Sequence, residues 1–146
     1  MSEASDVTTG PVFRAPMRAR AHDAPPGAGA EHGVAHGIVG IGDTAAARIS
    51  RFAAVPAGAF VWTRDTDGTY WLGRVAGPLR PADSAAREAA GLTHVRAADW
   101  LDRPFGEHDV PAGVAATFAR GGRNFQRTHG EAVERRTAEL WAAVGS

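Results

Sequence analysis

The 146 residues include sixteen arginines, sixteen acids, no lysine and no cysteine, for a formal charge of zero. The absence of thiols excludes disulfides, cysteine nucleophiles and cysteine-ligated metals, and the neutral balance argues against holding nucleic acid by bulk electrostatics. No apolar run approaches the ~20 residues of a membrane span and the polar N-terminus lacks a signal-peptide segment, so a cytoplasmic protein with no membrane partner is expected.

In chain order, residues 1–10 read as a disordered tail, 11–128 as the folded domain and 129–146 as a terminal amphipathic helix. Val12 to Arg20 suits a first strand, with Pro16 marking an edge or bulge. His22 to His32 reads as a Pro/Gly loop, and Val34 to Gly42 as a second strand. Thr44 to Val55 is helical by composition, capped by Asp43 or Thr44 and ended by Pro56. Phe60 to Arg64 and Tyr70 to Val75 are strong strand signals flanking Asp65-Thr66-Asp67-Gly68, a hairpin signature. After a polar connection over Pro81 to Gly91, Thr93 to Leu101 reads as a strand. A short helix opens at Asp109-Val110-Pro111 and stops at Gly121-Gly122, and Arg123 to Arg127 closes the sheet. Too few helices separate the strands for a doubly wound parallel sheet. An α+β fold is expected, a small curved, mainly antiparallel barrel with about three short helices.

The polar motifs offer little chemistry. His32 and His36 are four apart, but Gly33 stands where a zinc-protease glutamate belongs and the segment reads as extended, so no metal is assigned. No GxSxG, Walker loop or GxGxxG occurs, and Asp65 and Asp67 serve the turn before they serve as acids. No catalytic residue and no cofactor is expected, hence no enzyme. Strand alternation places Trp62 and Arg64 on one face of the hairpin, with Tyr70 and Arg74 sharing a face of the second strand. His94 and Arg96 follow on the next strand. Rings beside guanidiniums stack planar bases and bond their edges, so Trp62, Arg64, Tyr70, Arg74, His94 and Arg96 are the candidate ligand contacts. Between Pro111 and Gly130 the charges are Arg120, Arg123 and Arg127 with no acid. These are candidate phosphate contacts.

Four segments in order, Gly37–Gly42 (GIVGIG), Ala57–Thr63 (AGAFVWT), Tyr70–Gly77 (YWLGRVAG) and His94–Leu101 (HVRAADWL), together resemble the EVE-like barrels of the PUA superfamily found in prokaryotic restriction and defence proteins. The resemblance covers roughly Val12 to Thr128. It departs from that pattern at Gly58-Ala59, where Gly-Asp is usual, and at Asp43, where a tryptophan often follows Ile-Gly. The resemblance implies a reader of a modified or flipped base in DNA or RNA, with any effector on a separate chain. Two other readings stay open. One is a protein-interaction module working through the terminal helix and Trp141; the other is a sensor of a nucleoside-like small molecule.

Overall fold

The computed structural model describes residues 8–18, 24–122 and 124–145. Its strands are β1 (Val12–Arg14), β2 (Ile38–Ile41), β3 (Phe60–Arg64), β4 (Tyr70–Val75), β5 (Arg80–Pro81), β6 (His94–Trp100) and β7 (Gln126–Arg127). Its helices are α1 (Ala28–His36), α2 (Ala46–Ala54), α3 (Ala85–Ala89), α4 (Ala112–Ala119) and α5 (Glu131–Gly145). The chain is α+β, as its pattern implies, with five helices where about three were expected. The tail over 1–7, the end of the first expected strand and Arg123 lie outside the described residues.

The β-branched and aromatic runs FVWTR and YWLGRV form the central hairpin, β3 pairing antiparallel with β4 so that Trp62 faces Leu72 and Arg64 faces Tyr70. Its tip is held by Asp65, whose carboxylate accepts hydrogen bonds from the Asp67 and Thr69 backbone N–H groups at 3.0 Å each, and Gly68 takes the left-handed φ of 82° that completes the turn. The sheet runs β2-β6-β4-β3-β1-β7, with β5 also on β6. The ladders are antiparallel except β1 on β3. That parallel pair is reached by a long crossover through α1, β2 and α2.

Both faces of this curled sheet are covered. On one, α2 lays Phe52 and Val55 against Ile38, Val39, Val61, Val75 and Val95. On the other, α4 and α5 bring Val114, Val133, Ala138 and Leu140 against Phe60, Trp62, Tyr70 and Leu72. The terminal helix is therefore built into the domain.

The segment expected as loop and then strand, 22–42, instead forms α1 and the shorter β2. Its glycines weigh against a helix when read alone, but the helix packs so closely that they are needed. A Cβ at Gly29 would lie 2.1 Å from the Met17 carbonyl oxygen, and one at Gly33 would lie 2.9 Å from the Met17 sulfur. Gly37, at φ 68°, ends the helix in the left-handed conformation and turns the chain into β2.

Candidate ligand-binding cleft

The hairpin face expected to meet solvent is instead interior. Trp62 is wholly buried, its indole N–H donating to Thr137 Oγ1 on α5 at 3.1 Å and its ring edge-on to Phe105. Tyr70 is also buried, edge-on to Phe118, and burial raises its pKa above the ordinary phenol value. The alternation reading placed these rings on one face correctly. The face is covered because two amphipathic helices supply the apolar surface that large rings need.

The arginines of that face sit at its rims. Arg74 donates from Nε to the Gly58 carbonyl at 2.9 Å and lies over the rings of Phe60 and Trp141. Trp141 is thus held against its own barrel. Arg64 lies over Tyr70, 5.7 Å from the ring centroid. His94 is half-buried beside Thr93. The expected set does not converge on one cleft.

A different cleft does form, of about 400 Å³, where the barrel fails to close. The two terminal strands of the sheet, β2 and β7, both contribute to its walls, together with β1 and α2. Its aromatic surface is made by the half-buried Phe13 and Phe125, with Phe52, itself buried, packed beneath them. Phe13 and Phe125 stack with centroids 5.1 Å apart, and Phe52 meets Phe125 edge-on at 5.0 Å. Around these rings stand Arg48 and Arg51 from α2 and Arg127 from β7. Arg127 pairs with Glu134 at 3.1 Å. Arg48 pairs with Asp43, whose carboxylate also accepts from the Ala45 N–H; Ala45 is itself the N-cap of α2, without a side-chain cap, where Asp43 or Thr44 was expected. The hydrogen bond from Arg48 holds the Asp43 carboxyl below its ordinary pKa, against the opposing effect of burial. Arg51 is exposed and forms no ion pair among the described residues.

Two buried arginines fix the walls of this cleft. Arg96, expected as a ligand contact, donates from Nη1 to the carbonyls of Phe52 at 2.9 Å and Val55 at 2.7 Å and from Nε to Gly77 at 2.7 Å. It thereby caps the C-terminus of α2 from beneath and anchors the helix that carries Arg48, Arg51 and Phe52. Arg14 does the same for the opposite wall. Its guanidinium bonds the Thr117 and Asn124 carbonyls at 2.8 and 3.2 Å and Gln126 Oε1 at 2.9 Å, which holds the segment carrying Phe125. Burial lowers the pKa of both, with Arg120 adding repulsion at Arg14. Arg120 itself is exposed at the end of α4, and Arg123 lies outside the described residues. Of the two expected phosphate contacts among the described residues, Arg127 lines the cleft and Arg120 does not.

Sequence reasoning missed Phe13, Phe52, Phe125, Arg14, Arg48 and Arg51. The acid-free stretch from Pro111 to Gly130 did point to the β7 wall, and Asp43 marks the β2 wall where the resembled family often has tryptophan. His32 and His36 stand on α1 with rings stacked at 4.1 Å. Among the described residues no cluster of three or more metal-ligating side chains forms, and no helix is long and apolar enough to cross a membrane.

The sequence matches no family model and no curated protein. In structure the chain is similar to the YTH domain of the Zygosaccharomyces rouxii MRB1 protein, solved in complex with N6-methyladenosine RNA. The TM-score is 0.53 at 12% identity, covering 92% of this chain and 87% of that one. That likeness shows the fold. A protein from Agrobacterium tumefaciens is similar at a TM-score of 0.41 and 14% identity, over 90% of this chain and 92% of that one.

Proposed function

We propose that this chain is a non-catalytic nucleic-acid-binding module that takes a modified or flipped base into the cleft at the open edge of its barrel. The observation that carries this reading is the placing of the half-buried Phe13 and Phe125, backed by Phe52, beside Arg48, Arg51 and Arg127 in one cleft between the sheet's two ends. A flat base stacks on such rings, and guanidiniums bond its edge or the adjoining phosphate. Extruding the base costs a few kcal/mol, which stacking and edge hydrogen bonds offset. The fold shared with a YTH domain solved on methylated RNA supports the reading, as does the segment order resembling EVE-like PUA-superfamily barrels. On this reading the site needs no cofactor, and chemistry on the nucleic acid belongs to a separate effector protein of the kind found with restriction and defence modules. DNA and RNA are both within its scope.

A nucleoside-sized small molecule is the second reading, favoured by a volume within the roughly 300–1,000 Å³ range of small-molecule sites. Equilibrium binding separates the two. A single-stranded RNA carrying one N6-methyladenosine, its unmethylated form and the free nucleosides are titrated against the parent, Phe125→Ala and Arg51→Gln. Phe125→Ala is expected to lower oligonucleotide affinity by about 1–3 kcal/mol, the worth of one base–aromatic stack. Arg51→Gln should weaken binding several-fold with no change in thermal midpoint, since its side chain supports nothing internal. Equal affinity of the Arg51→Gln variant and the parent would exclude the cleft. Tight nucleoside binding with no gain from the oligonucleotide favours the small-molecule reading.

A further inference from the structure

A second cavity, about 240 Å³, opens between the hairpin tip, the start of α1 and the Gly121-Gly122 turn that follows α4. Arg18 and Arg64 both line it. Neither forms an ion pair or a hydrogen bond among the described residues, and Arg64 is occupied only by the ring of Tyr70 beneath it. The acids nearby are already engaged. Asp65 accepts from the Asp67 and Thr69 N–H groups, the Thr69 hydroxyl and the Trp71 indole N–H. Glu31 accepts from the backbone N–H and hydroxyl of Thr66. The lining thus sets two guanidiniums against a single carboxylate, Asp65, whose oxygens are taken by neutral donors, and an anion joining the two free guanidiniums would balance the pocket. The planar, multi-donor guanidinium matches the oxygens of a phosphate.

The position of this pocket relates it to the cleft. Gly121 and Gly122 border the second cavity, while Asn124 to Arg127 border the first. The two cavities are therefore lined by neighbouring parts of the same stretch of chain. Gly122 and Asn124 are two residues apart, so their Cα atoms are separated by no more than about 7 Å. The Arg14 guanidinium binds the Asn124 carbonyl and packs on Gly122, where a Cβ would lie 2.2 Å from Nη2, so one side chain ties together residues that line both cavities. We propose that the second cavity is a phosphate site, holding through Arg18 and Arg64 the phosphodiester of a nucleotide adjoining the one whose base enters the cleft. This rests on the nucleic-acid reading of the cleft; the presence of an anion site as such does not.

Two titrations test it. Inorganic phosphate is added to the full chain while the arginine Nε–H resonances are followed by NMR, in the parent, Arg18→Gln and Arg64→Gln. Saturable shifts at Arg18 and Arg64, abolished in either variant at an unchanged thermal midpoint, are expected. Absence of saturable shifts overturns the phosphate site whatever the cleft binds. Single-stranded RNA is then titrated over a range of salt. Each variant should flatten the dependence of log affinity on log salt by up to about 0.7 for every phosphate it no longer neutralises, equally for methylated and unmethylated RNA. An unchanged slope beside intact phosphate binding overturns the shared-strand assignment. Phosphate binding with no RNA binding at all sinks the nucleic-acid reading and leaves the anion site standing.

Discussion

A buried indole N–H needs a protein acceptor, and Thr137 provides it for Trp62 from the facing helix at 3.1 Å. Trp62 is therefore a packing residue. Trp62→Ala should cost about 3–5 kcal/mol of stability. Thr137→Val keeps the shape but orphans the donor and should cost about 1–3 kcal/mol. Both are read from denaturant midpoints at constant slope, and a Trp62→Ala protein as stable as the parent would contradict this assignment. Asp43 adds a pH signature. Its folded-state pKa lies below the ordinary 3.8, chiefly through the hydrogen bond from Arg48. Such a group adds stability that is complete above its unfolded value and lost as pH falls through the folded one. Between about pH 5 and pH 3 the parent should lose more stability than Asp43→Asn does. Parallel acid limbs for the two proteins would show that the Asp43–Arg48 pair contributes nothing.

Among the elements, α2 matters most to the site, because it carries Phe52, Arg48 and Arg51 on one short helix whose end is capped by Arg96. Arg96→Met fills a similar volume but leaves the Phe52, Val55 and Gly77 carbonyls without their donor. It should cost about 2–4 kcal/mol by the worth of charge-assisted hydrogen bonds, and amide exchange should rise first in α2. Exchange rising equally in β3 and β4 would mean that Arg96 serves the whole core rather than this helix. The hairpin, α2, β6 and α5 were legible in the sequence because each has its own periodicity, caps or turn residues. By contrast, α1 was not legible: its glycines oppose a helix locally, and the contact that favours one, against Met17, joins residues more than ten positions apart. Tertiary packing overrides propensity there.

At the scale of the molecule, the sheet curls until β2 and β7 approach and stops short, and the cleft occupies that gap. Which face of a strand is open depends on what covers it, and no local pattern states that α4 and α5 lie over the hairpin. This is why rings and arginines were recognisable as a binding chemistry while the particular rings were misplaced. The cleft residues are scattered over β1, β2, α2 and β7, and their meeting is a product of the topology. The most direct measurement is photo-crosslinking of a single-stranded oligonucleotide with one photoreactive base, mapped by mass spectrometry on the full chain. Adducts are expected on peptides containing Phe13 or Phe125, competed away by N6-methyladenosine RNA. Adducts confined to α5 or the hairpin tip, or none above a non-binding control protein, would contradict it.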